Sequence, residues 1–247
     1  MNLNLQDKTA LVWGSSQGIG KAIAKSFIDE GVTTCLCSRN EESLKLTAQE
    51  IKTNHWITAD LSKPNQGKQS IFDAKDKLEK DIDILIINTG GPEKNNFLDV
   101  TIEQWQKDYQ NLWLSSVEAL QAVLPSMKKN NWGRIIFITS IAAKEPLSGL
   151  TTSNGLRAGI SGLVKSISNE FSQFGITINT ICPGYTNTDR LKALNLSGET
   201  VKNLVPTGRL GRPEEIGNLA TFLASDLASY INAQSIAADG GSLKGHY

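Results

Sequence analysis

Lys8 to Glu30 reads KTALVWGSSQGIGKAIAKSFIDE, an apolar run, then a glycine-rich turn, then an amphipathic helix. Thr9 to Trp13 is short and rich in strand formers, whereas Ile19, Ala22, Ile23, Ala24, Phe27 and Ile28 recur at helical spacing. Gly14, Gly18 and Gly20 fall where the chain must bend sharply, admit a pyrophosphate to its backbone and pack the new helix against the sheet. The unpaired amides and positive dipole end of that helix suit phosphates.

Lys plus Arg equals Asp plus Glu, 25 each, so nothing electrostatic points to nucleic acid or an anionic membrane as partner. The segment MNLNLQDKT lacks the pattern of a secretory signal, and no apolar stretch reaches the length of a membrane span, which predicts a cytoplasmic protein. Cys35, Cys37 and Cys182 sit in expected strands without metal-ligand spacing and read as reduced core residues. His55 and His246 are too scattered for a metal site, and no metal is expected.

Strands are expected at Val32 to Cys37, His55 to Thr58, Ile82 to Ile87, Gly133 to Thr139, Ile176 to Cys182 and Ser235 to Ala238. Between them lie helical patterns at Glu41 to Lys52 with Asn40 as N-cap, Ser70 to Glu79, Ile102 to Lys128, Leu156 to Phe174, and from Pro213 through Leu223. The unbroken alternation predicts a single α/β domain over residues 1–247. It should be a Rossmann-like, doubly wound parallel sheet of about seven strands, with ligand at the carboxyl ends of the strands.

Several stretches together resemble the short-chain dehydrogenase/reductase family, especially its 3-oxoacyl-carrier-protein reductase-like branch. They are the turn Gly14-Ser15-Ser16-Gln17-Gly18-Ile19-Gly20, Asp60-Leu61, Asn88-Thr89-Gly90-Gly91, Asn111, Ser140, Pro183-Gly184 with Thr188, and Asp239-Gly240-Gly241. The resemblance covers essentially the whole chain. It assigns Asp60 to the adenine ring, Asn88 and Gly90 to the wall beside the adenosine ribose, and Thr188 to the nicotinamide carboxamide. Each also reads as a cap or turn residue, a role compatible with ligand binding. At the end of the second strand a carboxylate would favour NAD(H), but Ser38-Arg39 stands there. A guanidinium can pair with a 2′-phosphate and the Ser15 hydroxyl can add a donor, so NADP(H) is preferred, with NAD(H) as the alternative. Arg39 as a solvated surface charge is the other reading.

The family carries its chemistry on a serine, a tyrosine with a lysine four residues later, and an asparagine. Ser140 and Asn111 match, but Ser153 stands where the tyrosine belongs and Arg157 where the lysine belongs. Ala158-Gly159-Ile160-Ser161-Gly162-Leu163 continues as the family's helix does and anchors this alignment. An alkyl hydroxyl is a far poorer acid than a phenol, and the loss of positioned acid help costs about 10²- to 10⁴-fold. Arg157 can hold ribose hydroxyls and offer charge but cannot relay a proton.

Tyr185 as an alternative acid, Lys144 as a cationic donor, and Arg157 with Ser140 as an electrostatic clamp are three conceivable replacements. Tyr185 also reads as a ring packed over cofactor or substrate. The resemblance thus implies a reductase of a ketone, aldehyde or 3-oxoacyl thioester. The missing pair leaves a rival from another class, a non-catalytic NADP(H)-binding sensor or silent subunit. A lyase or isomerase retaining the dinucleotide is a third reading, without specific support. Family resemblance, with Trp105, Tyr109 and Trp113 in the long helix, points to a homotetramer or dimer. A lid is expected over about residues 188–207, with Leu191, Leu194, Leu196 and Val205 forming its apolar side.

Overall fold

The computed structural model describes residues 2–192 and 195–245. The expected lid residue Leu194 and the tail residue His246 lie outside the described residues. The chain runs β1 (Thr9–Trp13), α1 (Gly18–Asp29), β2 (Thr33–Ser38), α2 (Glu41–Ile51), β3 (Trp56–Thr58), α3 (Gln66–Leu78) and β4 (Ile84–Ile87). It continues through α4 (Ile102–Tyr109), a π-turn (Gln110–Leu114), α5 (Ser115–Asn130), β5 (Gly133–Ile138) and α6 (Thr151–Phe171). Then come β6 (Ile176–Pro183), the short helices α7 (Asp189–Lys192) and α8 (Gly198–Leu204), α9 (Pro213–Ala224) and β7 (Ser235–Ala238). The strands form one sheet of seven in the order β3-β2-β1-β4-β5-β6-β7. Every pairing is parallel.

Parallel strands buried on both faces should carry apolar side chains in both directions. In β1, Leu11 and Trp13 enter one core with Ile71, Leu120, Phe137 and Val164, while Ala10 and Val12 enter the other with Phe27, Leu44 and Leu223. The first core lies under α3, α5 and α6, and the second under α1, α2 and α9. Trp13 also donates its indole N–H to Ser70 Oγ of α3 at 3.1 Å, so this large buried ring keeps its polar group satisfied. All three cysteines are free and buried. Burial pushes the Cys35 thiol up to about 12, against the opposing charge of Lys77. Among the described residues no helix is long and apolar enough to cross a membrane.

The expected helix from Ile102 to Lys128 is interrupted. The π-turn inserts between α4 and α5, and such turns rotate the following side chains relative to an unbroken helix. Here the carboxamide of Asn111 reaches Gly90. Helix α6 starts at Thr151 rather than Leu156, five residues earlier, despite Thr151, Thr152, Ser153 and Gly155 being poor helix formers. Burial of Thr152 and Ser153 overrides their local preference.

Candidate active site

The glycine turn is built by close approaches. Gly14 and Gly18 have φ of +62° and +57°, and a Cβ at Gly20 would lie 2.2 Å from the Gly14 carbonyl oxygen. Asn88 donates its amide N–H groups to the carbonyls of Trp13 and Gly14, at 3.2 and 3.4 Å, which fixes the turn from the end of β4. Thr47 of α2 holds it from the other side through the Ser16 carbonyl, 2.7 Å away. Nothing local in the sequence marks Thr47, because its partner is 31 residues distant. Thr188 lies over Gly18, with its methyl 3.3 Å from where a Cβ would project.

Gln17 precedes α1 in extended conformation and makes no side-chain cap, so the helix presents its first amides without an internal acceptor. At the end of β2 the Ser38 hydroxyl is buried without a hydrogen-bond partner, and Arg39 beside it is exposed. An uncapped helix start, a cradle any side chain would fill and an orphaned hydroxyl next to an arginine fit a phosphorylated dinucleotide. Ser15 fits differently from the expectation. Its hydroxyl is fully buried, accepts the Cys37 amide at 2.9 Å and ties the turn to β2, a structural bond rather than a donor standing open to a phosphate. Asp60 accepts from the hydroxyl and amide of Ser62 at 2.7 and 3.2 Å. Burial would raise its pKa, but these bonds with the charges of Lys63 and Arg39 outweigh it and hold the carboxyl below its usual range. Leu61 is a core residue. Pro183 ends β6, and Gly184 follows with its amide on the Ala238 carbonyl at the end of β7.

Further along the same edge, Asn111 donates to the Gly90 carbonyl at 3.1 Å. Ser140 caps a 3-10 turn at Ile141–Ala143 by accepting the Ala142 amide at 3.1 Å. Ser153 and Arg157 are each 5% exposed. Arg157 donates from Nε to Ser153 Oγ and from Nη1 to the Ile138 carbonyl, both at 3.2 Å. Its Nη2 makes no hydrogen bond among the described residues. Burial, then the neighbouring charge of Arg190, brings the guanidinium down to about 10, against an opposing contribution from Cys182, so it remains a cation at neutral pH.

The bonds at both serines have one sense. Each hydroxyl oxygen accepts an N–H, and neither donates to any described residue, so each O–H is left to point at a ligand. Tyr185 stands elsewhere. It is half-buried and lines a cavity of about 220 Å³ with Val205, Ile216 and Asp239, a wall that includes neither serine nor Arg157. Sequence reasoning missed Arg190, two residues beyond Thr188, which donates from Nη2 to the Pro92 carbonyl at 2.9 Å. Among the described residues no group of His, Cys, Asp and Glu has the makings of a metal site.

A family model described as "Enoyl-(Acyl carrier protein) reductase" matches residues 14–242. The 3-oxoacyl-[acyl-carrier-protein] reductase of Aquifex aeolicus is 32% identical over 98% of this chain and 99% of its own length. The NADPH-dependent reductase BacG of Bacillus subtilis is 32% identical, over 97% and 99%. A crystal structure of a 3-oxoacyl (acyl-carrier-protein) reductase from Agrobacterium tumefaciens with NADP bound superposes with a TM-score of 0.91 at 32% identity, covering 97% of this chain and 96% of that one. With a family model matched over residues 14–242 and relatives 32% identical along nearly their whole length, the chain belongs to the short-chain dehydrogenase/reductase family of oxidoreductases, on the 3-oxoacyl-carrier-protein reductase-like branch.

Proposed function

We propose that this protein is an NADP(H)-dependent reductase of a ketone, aldehyde or 3-oxoacyl thioester that works without the family's tyrosine and lysine. The observation that carries the reading is the buried Arg157, braced by Ser153 and the Ile138 carbonyl with Nη2 left over. When bound, the nicotinamide supplies the hydride. Gly14, Gly18 and Gly20 with the α1 amides hold the pyrophosphate, Asp60 the adenine, Asn88, Thr89 and Gly90 the ribose wall, and Thr188 the carboxamide. Ser140 and Ser153 direct their O–H groups at the carbonyl oxygen while Arg157 offsets the charge that gathers there. Asn111 fixes the Gly90 carbonyl, and the proton comes from water. The decisive assay is NADPH oxidation over a carbonyl panel, run beside the Ser153→Tyr/Arg157→Lys variant.

The cofactor preference rests on Ser38 and Arg39. Replacing Arg39 with Glu is expected to weaken NADPH binding relative to NADH by about 10- to 100-fold, the size of one charge-assisted hydrogen bond. Fluorescence titration with both nucleotides measures it, and an unchanged ratio would remove Arg39 from the site.

The same donor set also supports the second reading. A cleft with hydroxyls, a guanidinium and, among the described residues, no phenol beside them is fit to hold a dinucleotide without turning it over, as a sensor or silent subunit would. Such a protein saturates with NADPH and oxidises none against any carbonyl. The 188–207 segment is proposed as the lid: Asn187 donates to the Gly211 carbonyl and Gly211 to that of Tyr185, closing the neck at both ends.

For assembly we propose pairing through α5 and α6. Leu120, Leu124, Leu163, Ile167 and Phe171 line a groove of about 610 Å³ between them, with Lys128 and Glu170 at its rim. An apolar centre with both signs of charge at the edge suits a second copy related by a two-fold axis. Leu163→Glu/Ile167→Glu is expected to convert a dimer or tetramer to monomer in light scattering. A monomeric natural protein at micromolar concentration would end the proposal.

A further inference from the structure

Two buried or part-buried arginines can be compared within this one chain. Arg134, at the start of β5, is 2% exposed, and its charge is met by Asp226 at 3.1 Å and by the carbonyls of Gly133 and Gly175, both at 2.9 Å. That is the usual solution, since a charge removed from water needs a partner. Arg157 is as deeply placed, yet it has one serine oxygen, one carbonyl and no carboxylate.

Arg190 borders the same place. Strands β4 and β5 lie side by side with Ile87 opposite Phe137. One residue past Phe137, the Ile138 carbonyl takes Arg157; a few residues past Ile87, Gly91 packs against the Arg190 guanidinium and the Pro92 carbonyl accepts from it. Arg190 also makes no salt bridge among the described residues; the neighbouring Asp189 pairs with Lys192 instead. Burial and then the charge of Arg190 lower the Arg157 pKa. Arg190 is exposed and its charge is shared with water, but the buried Arg157 charge next to it, without an internal anion, is relieved by a ligand that brings one.

The hydroxyls sharpen the choice. Ser140 and Ser153 each accept one N–H and donate to no described residue, so each keeps its O–H, with one of its two lone pairs, for a ligand. With the hydroxyls turned to the carbonyl oxygen, the two guanidiniums beside them complete a donor set that includes positive charge. A neutral ribose or ketone meets part of it. A carboxylate meets the charge as well.

We propose that the substrate carries a carboxylate close to its reducible carbonyl, and that Arg157 of α6 and Arg190 of α7, anchored on the carbonyls of Ile138 and Pro92, hold that carboxylate. This rests on the reductase reading for the fate of the substrate, but not for its binding. Arg190 is thereby a specificity-determining residue that sequence comparison with the family's tetrad does not single out.

The test uses the full chain saturated with NADP⁺ and, separately, with NADPH. Butanoate and hexanoate are titrated beside their primary amides by calorimetry on the NADP⁺ form. On the NADPH form, 2-, 3- and 4-oxo acids are assayed beside their methyl esters. Acids are expected to bind about 10- to 100-fold more tightly than amides, the range of a charge-assisted bond, and Arg190→Gln is expected to remove most of that difference with NADPH affinity unchanged. Acids that bind preferentially but are never reduced leave the carboxylate site standing and end the reductase reading. Esters reduced as well as acids, with equal KM, overturn the carboxylate site and leave the reductase intact. Equal affinity for acids and amides in the natural chain overturns it without any variant. So does an Arg190→Gln protein that loses NADPH affinity while still discriminating, because its partner is then a cofactor phosphate.

Discussion

Ser153→Tyr/Arg157→Lys is expected to oxidise NADPH against simple ketones and 3-oxoacyl thioesters about 10²- to 10⁴-fold faster than the natural chain, the usual worth of a positioned general acid. The phenol replaces a hydroxyl that is too weak an acid to protonate an alkoxide at neutral pH. Lysine replaces a guanidinium that stays protonated at neutral pH, its pKa of about 10 notwithstanding. Helix α6 already positions the pair: Nε of Arg157 reaches Ser153 Oγ one turn away, so a tyrosine and a lysine at these two places face the same cleft. The single Ser153→Tyr variant should gain less, because the arginine it must pack beside is fixed to the Ile138 carbonyl. Initial rates over the panel decide the matter. If the double variant is no faster while the natural chain turns over, the arginine clamp is the better catalyst for this protein's own substrate.

The second large effect is expected at Gly20. A methyl group there would sit 2.2 Å from the Gly14 carbonyl oxygen and 2.8 Å from the Asn88 amide nitrogen, both held in place by other bonds. Backbone has to move, and overpacking of this kind costs about 1–3 kcal/mol. The displacement falls on the amides of the proposed pyrophosphate site. Gly20→Ala should therefore weaken NADPH binding by roughly 10- to 100-fold, the same energy read as an affinity, together with a lower melting temperature. Gly155→Ala is the matched control. Gly155 lies inside α6 with nothing within 4 Å of a would-be Cβ, so removing its backbone freedom should raise stability by about 0.5–1 kcal/mol. Thermal melts and nucleotide titrations of both variants separate a close-approach glycine from an incidental one. Equal behaviour of the two would refute the packing account of the turn.

What the sequence made readable is what repeats along it. The apolar runs of β1, β4 and β5 give buried parallel strands because both of their faces carry large side chains. The turn glycines are legible because a side chain at Gly14 or Gly20 would run into backbone and Gly18 takes a positive φ that favours glycine. The π-turn that holds Asn111 was hidden, since one extra residue in a helix leaves the apolar spacing on either side nearly intact. Ser15 and Tyr185 show a different limit. A hydroxyl and a phenol near a site can be placed by chain position, but whether they face the ligand depends on partners far away, here Cys37 and the wall shared with Val205 and Asp239. Thr47 and Arg190 act through carbonyls of segments distant in sequence and carry no local mark at all.

The neck between Tyr185 and Gly211 is closed by main-chain groups alone, amide to carbonyl in both directions, beside the isolated bridge from Thr186 to Gly211. A joint closed by the backbone leaves the stretch between open to change, apart from Thr188 over Gly18 and Arg190 on the Pro92 carbonyl. The stretch between can be lengthened, shortened or exchanged for that of a relative without redesigning the sheet beneath it, in the way a drawer is changed without rebuilding the cabinet. Selection for a new substrate in this scaffold has a ready-made cassette to work on, one whose borders are already marked by the backbone.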